Sequence, residues 1–158
     1  MSQEDLDEVS RQLGRPARDI IEVAARCVCK RPLVVKTKPR LEDGTPFPTL
    51  YYLTQKSATA AVSALEAEGY MTQLQRDLLE DDKLSNAYNK AHQKYLQERD
   101  EIEVVDEIDG ISAGGMPYRV KCLHALVAHS LATGKGANPV GDLALAKLEW
   151  SPKVCTCL

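Results

Sequence analysis

An α+β fold is predicted for this chain of 158 residues, a small antiparallel sheet with a Cys-x-Cys hairpin packed on about five helices. The β-prone runs are confined to positions 15–54 and helical periodicity fills positions 57–150. Strand and helix nowhere alternate as a doubly wound parallel sheet requires. With 44% hydrophobic residues the chain can close one sizeable core, and it is short for two. A single domain is therefore expected over 1–158: a hairpin region at 15–54, a helical region at 57–150 and a cysteine tail at 151–158.

Ser2 can cap a short helix to Leu13, whose Leu6, Val9 and Leu13 fall on one face. Past Gly14 and Pro16, the runs Ile20 to Ala25 and Leu33 to Lys38 flank Cys27-Val28-Cys29-Lys30-Arg31-Pro32, which predicts a hairpin with thiols at its tip. A loop from Arg40 to Pro48, punctuated by Asp43-Gly44, Pro46 and Pro48, leads to a third strand over Thr49 to Thr54. Helical spacing of Ala61, Val62 and Leu65 follows, stopped by Gly69. Thr72 and Gln75 have capping-box spacing for a second helix with Leu74 and Leu78 inward. Asp82 is the expected cap of a third, with a stripe of Leu84, Ala87, Tyr88, Ala91 and Tyr95 and with His92 on the solvated side. Pro117 suits a first helical position and Gly134 a stop, so a helix is placed from about Pro117 to Thr133, and Asn138-Pro139 starts a last one toward Trp150.

Cys27 and Cys29 stand near one end of the chain and Cys155 and Cys157 near the other. If the tail returns to the hairpin, the four thiolates satisfy tetrahedral zinc; an iron-sulfur centre is the alternative, and free cysteines on a loose tail are the plain reading. Five cysteines are an odd number, and a reducing compartment keeps thiols free, so disulfides explain the pairs less well. Cys122 or His129 is the candidate for an additional ligand. In a helix spanning both, Cys122 and His124 would point about 200° apart, so one helical ligand is the most a single ion could take. The plain alternatives are a small buried cysteine and a hydrogen-bonded histidine.

For catalysis the candidates are Arg40, Lys121 and His124 near one cleft, acting on a phosphate-containing substrate. Ser112-Ala113-Gly114-Gly115 before a helix can offer amides to an anion or simply connect two halves. Cys122 with a histidine makes a nucleophile and base, but no third, orienting group is identifiable. The zinc-protease spacing is absent, as is any complete phosphate-loop or dinucleotide signature.

Charge is lopsided. Eight basic and two acidic residues between Arg15 and Arg40 give +6, leaving −9 elsewhere in a chain of net charge −3. That segment is the expected contact for an unknown protein or a phosphate-containing ligand, with Tyr51 and Tyr52 available for stacking; nucleic acid and polyphosphate are less favoured than a solvated strand face. The acidic run from Glu98 to Asp109 reads as a solvated helix end and loop. No stretch has the ~20 apolar residues of a membrane span, and Met1 to Glu8 is acidic where a secretory signal is basic. A cytoplasmic location is expected.

The wording of Pro39 to Thr54 (PRLEDGTPFPTLYYLT), Ser112 to Pro117 (SAGGMP), Val120 to His129 (VKCLHALVAH) and Asn138 to Gly141 (NPVG) resembles the bacterial domain-of-unknown-function family five hundred and one, known mainly from actinobacteria. The likeness runs from about Leu13 to the C-terminus and carries no activity. Neighbouring genes in that family encode a septum-formation initiator and an exopolyphosphatase, which implies cell division or phosphate metabolism by association. The family's hairpin tip resembles Cys-Pro-Cys-Gly-x-Pro; here both thiols are kept and the intervening proline and following glycine are not. Together these readings favour a non-catalytic, metal-stabilised binding or adaptor domain over an enzyme.

Overall fold

The computed structural model describes residues 1–157. It is an α+β fold of a three-stranded antiparallel sheet and six helices. Helix α1 (Gln3–Leu13) is capped by Ser2, whose Oγ accepts from the Asp5 amide, and ends at Gly14 with φ 72°. Strands β1 (Ile20–Arg26), β2 (Pro32–Thr37) and β3 (Tyr51–Leu53) pair in sequence order, with Val23 opposite Val35 and Val35 opposite Tyr52. Strand β2 lies in the middle, and its run Pro32 to Val35 is buried throughout.

Helices α2 (Lys56–Ala67), α3 (Tyr70–Glu80), α4 (Asp82–Asp100), α5 (Leu123–Thr133) and α6 (Pro139–Lys147) complete the fold, with a 3-10 turn at Asp106–Ile108. Helix α5 is central. Seven of its residues, from Leu123 and Ala125 through Ser130, are buried, and it contacts all three strands as well as α2 and α6. Apolar residues all round a helix mark burial on every side, in keeping with this position.

Several boundaries differ from the sequence reading. Helix α3 begins at Tyr70, two residues ahead of Thr72, because Gly69 (φ 82°) supplies the left-handed turn that lets the chain reverse directly. Gln75 makes no capping box; its amide instead donates to the Tyr118 carbonyl and accepts from the Val120 amide. Asp81, not Asp82, caps α4 by accepting from Leu84. In the α4 stripe Ala87 is exposed, while His92 is buried rather than solvated, its Nδ1 2.6 Å from Ser112 Oγ. The largest displacement concerns α5, which starts at Leu123 instead of Pro117. Residues 115–121 form a turn closed by Arg119 N to Gly115 O (2.8 Å) and Lys121 N to Gly114 O (2.8 Å), and Pro117 lies in it behind a cis peptide. The Ser112 to Gly115 segment consequently does not lead into a helix. Its glycines serve packing: a methyl on Gly114 would sit 2.6 Å from Leu126 Cδ2.

His129 lies at the middle of the core, 1% exposed, stacked on Tyr51 at 5.7 Å and edge-on to Tyr95 at 4.9 Å. The Asn138 amide at 3.1 Å donates to Nδ1, so the hydrogen resides on Nε2, which has no partner among the described residues. Burial, assisted by Lys94 and opposed by Asp142, holds this imidazole down to about 4. An unfolded histidine protonates near pH 6.5, so between about 6.5 and 4 the unfolded chain binds a proton that the folded one refuses, and stability falls as pH falls. The expected loss across that window is at most about 3 kcal/mol. Urea midpoints at pH 7 and pH 5 test this in wild type and His129→Phe: the substitution should flatten the dependence, and an unchanged slope would refute the assignment.

Candidate metal centre

The β1–β2 turn is built around its two thiols. Cys27 N donates to Arg31 O (2.9 Å) and Lys30 N to Cys27 O (2.8 Å), which tightens the tip so that both Sγ atoms point to one side. Lys30 carries the strain, with φ 75° in the left-handed region that favours glycine. The tail beyond α6 returns to this tip. Arg31 Nη1 donates to Cys157 O (3.0 Å), Gln55 Nε2 to Cys157 Sγ (3.4 Å), and Ser57 Oγ contacts Thr156 Oγ1 at 2.6 Å. Trp150 Nε1 donates to the same Ser57 Oγ (3.1 Å), so the tail is fastened at both of its ends.

As a result the sulfurs of Cys27, Cys29, Cys155 and Cys157 all lie within 4.8 Å of one another. Sulfurs around a tetrahedral zinc stand about 3.8 Å apart, given Zn–S bonds of ~2.3 Å, so the four are gathered to nearly that spacing. Cys27 and Cys157 are buried; Cys29 and Cys155 are exposed. Burial pushes the Cys27 thiol up and that of Cys157 up to about 12, whereas the Arg31 amide beside the Cys29 sulfur brings it down to about 7. Thiolates are what a metal binds, and a cation among these sulfurs supplies the charge that burial withholds. The cluster can hold a metal ion.

The other candidate ligands lie elsewhere. His129 is packed in the aromatic core, and Cys122 belongs to a second group in which one ligand atom each of Glu66, Cys122 and His124 falls within 4.8 Å. The expectation that Cys122 and His124 point apart fails because Cys122, with φ −147° and ψ 108°, is the extended residue before α5 and outside the helix. His124 Nδ1 is 3.3 Å from Glu66 Oε1. The hydrogen bond with Cys122, ahead of the opposing effect of burial, raises the His124 imidazole. At Cys122 burial pushes upward, but the His124 imidazole and the Ala125 amide together outweigh it and the thiol is lowered. Glu66 is a residue the sequence reading missed: nothing local distinguishes it from any acid on the outer side of α2.

Among the described residues Arg40 and His124 share no hydrogen-bond or ion-pair partner. Arg40 donates to both Glu107 oxygens (2.9 and 2.8 Å) and to Gly44 O, and also faces Glu103, while Lys121 is exposed. The basic hairpin is likewise matched by acids of the same chain: Arg26 with Asp5, Arg31 with Glu8, Lys36 with Glu22. Tyr51 is not available for stacking, since it is buried with its hydroxyl donating to Glu98 at 2.7 Å; Tyr52 is exposed and lies beside Phe47. The acidic run is a solvated helix end and loop as expected, every acid but the half-buried Glu98 being exposed, although Glu98 accepts from Tyr51 and Glu103 and Glu107 face Arg40.

Among the described residues no helix is long and apolar enough to cross a membrane. No curated protein and no solved structure matches the chain. One family profile does, over residues 23–146, a span that holds Cys27, Cys29, Glu66, Cys122 and His124 and stops short of the Cys155/Cys157 tail. On that match, which covers well over half of its length, the chain belongs to the family described as Protein of unknown function (DUF501).

Proposed function

We propose that Cys27, Cys29, Cys155 and Cys157 bind one zinc ion that ties the tail to the hairpin, and that the domain serves in the cytoplasm as a non-catalytic binding or adaptor module. The observation that carries this is the convergence of four sulfurs, from segments 126 residues apart, to within 4.8 Å. That spacing suits a single ion better than an iron-sulfur cluster, where the thiolates bind different irons and stand further apart. Because the unfolded chain has no such site, the binding energy becomes folding energy. The basic segment at 15–40 is the surface we assign to an acidic or phosphate-bearing partner, with Arg15, Arg18, Lys30 and Lys38 carrying its outward charge. An enzyme built on Arg40, Lys121 and His124 is less supported, since the Arg40 guanidinium is already spent on Glu107 and Gly44.

Elemental mass spectrometry of protein purified without chelator or affinity-tag metal tests the centre. Zinc should be present, and Cys29→Ser should lose one equivalent together with several degrees of thermal stability. A Cys29→Ser protein that keeps the full metal content would overturn the assignment, and an iron-sulfur absorption spectrum would replace zinc.

A further inference from the structure

The group of Glu66, Cys122 and His124 is separate from the four-cysteine cluster and is assembled by two elements. Helix α2 presents Glu66, the extended residue before α5 is Cys122, and the first turn of α5 presents His124. The carboxylate and the imidazole are each oriented by a neighbour that leaves one donor atom facing the others. Glu66 Oε2 accepts from the Leu123 amide at 2.9 Å, which fixes the carboxylate and leaves Oε1 turned to the imidazole. His124 Nε2 lies 3.3 Å from the Thr59 carbonyl and 3.1 Å from Ser63 Oγ. A carbonyl can only accept, so Nε2 carries the hydrogen and the neutral ring offers its Nδ1 lone pair toward Glu66. Ring nitrogens that bind metal are held in this way, the other N–H donated to a backbone carbonyl or a carboxylate.

We propose that Glu66 Oε1, Cys122 Sγ and His124 Nδ1 form a second metal site for a divalent transition ion of the zinc class, with a fourth coordination position left open. The donor set is one oxygen, one sulfur and one nitrogen, a borderline combination that suits Zn²⁺ and excludes Ca²⁺ and Mg²⁺, which require oxygen. Among the described residues no lysine or arginine ion-pairs with Glu66, so an ion takes the place that a proton on Nδ1 otherwise fills. The site is reachable, as the His124 and Glu66 side chains keep 27% and 22% of their exposure. Structural zinc has four protein ligands; three with an open position is the arrangement that admits water or a substrate group. This site does not depend on the hairpin centre.

Metal content and the reactivity of Cys122 decide it. Wild-type protein should hold about two zinc equivalents, and Glu66→Gln, whose carbonyl can still accept from Leu123, should hold one. In the same metal-replete samples Cys122 should alkylate with iodoacetamide at least tenfold faster in Glu66→Gln than in wild type, read by peptide mass spectrometry, with the fold intact by circular dichroism. Cys122→Ala, which leaves Glu66 in place, should lose the same equivalent. Equal metal content and equal Cys122 alkylation in wild type and Glu66→Gln would mean a metal-free thiolate–imidazolium pair and would overturn the site. A protein with one equivalent that Cys29→Ser retains and Glu66→Gln loses would keep this site and remove the hairpin one.

Discussion

Replacing Arg99 by methionine is expected to destabilise the protein by about 3–5 kcal/mol, since a buried charged donor is lost and its acceptors are stranded. Arg99 is only 2% exposed, at the last turn of α4. Its Nη1 donates to Pro48 O (2.8 Å) and Ile111 O (2.6 Å), and its Nη2 to Ile108 O (2.8 Å). These carbonyls belong to two separate irregular segments, the loop before β3 and the stretch around the 3-10 turn, which regular pairing cannot reach. Burial lowers the guanidinium, with Tyr95, Asp100 and Asp109 pulling the other way, yet arginine remains charged at any pH the protein meets. Methionine fills similar volume and offers no hydrogen bond, leaving the Pro48 and Ile111 carbonyls wanting partners at about 1–3 kcal/mol apiece before water relieves them, while Ile108 O keeps the Ile111 amide at 3.1 Å. Lysine, a single donor centre without the fork, should recover part of the loss. Equilibrium urea unfolding measures all three proteins, and a methionine variant within about 1 kcal/mol of wild type would show that the loops are held by other contacts.

Gly141→Ala should cost about 2–3 kcal/mol, although alanine is favoured over glycine in a helix by about 1. A methyl group there would overlap the Leu126 carbonyl oxygen and Ser130 Oγ and lie 2.9 Å from the Leu126 carbonyl carbon. Two of these three obstacles are backbone, so the strain is relieved only by moving α6 off α5. That separation would break linked hydrogen bonds: Ser130 Oγ to Asn138 O (3.1 Å), Gly141 N to Asn138 Oδ1 (2.9 Å) and the Asn138 amide on His129. The Asn138 to Gly141 wording has a physical basis here, a helix cap at its first residue and a helix crossing at its last. Thermal melts of Gly141→Ala and Gly141→Ser distinguish crowding from propensity, because crowding penalises serine at least as much as alanine. A neutral or stabilising alanine would mean that α6 slides freely.

Local pattern conveyed most of the fold. The hairpin, the Ser2 cap, the Gly134 stop and the Asn138 cap each rest on residues within a few positions of one another, and each is found. What failed was decided at a distance. Pro117 has the chemistry of a first helical residue, but the chain around it is folded onto Gly114, Gly115 and the Gln75 amide, partners that periodicity does not convey. The six-residue error in the start of α5 then hid the second site, because treating Cys122 as helical turned it away from His124. His92 and Arg99 lie on the polar side of α4 by composition and are buried by loops packed over them. The two cysteine pairs were visible as pairs; that the tail folds back depends on Trp150, Gln55 and Ser57, none of which carries a local signal.

The way the tail is fastened also bears on how an ion would leave. From Glu149 to Cys157 the chain forms no helix or strand, and the side-chain hydrogen bonds that hold it to the rest of the fold run to Arg31, Gln55 and Ser57. Segments with so few bonds open on their own, far more often than the whole protein unfolds. Two of the four sulfurs would then depart together while Cys27 and Cys29 stay on the sheet. The lifetime of the bound ion would be set by this peeling of a short strap, so a chelator or an acceptor protein could draw the metal from a domain whose core remains folded throughout.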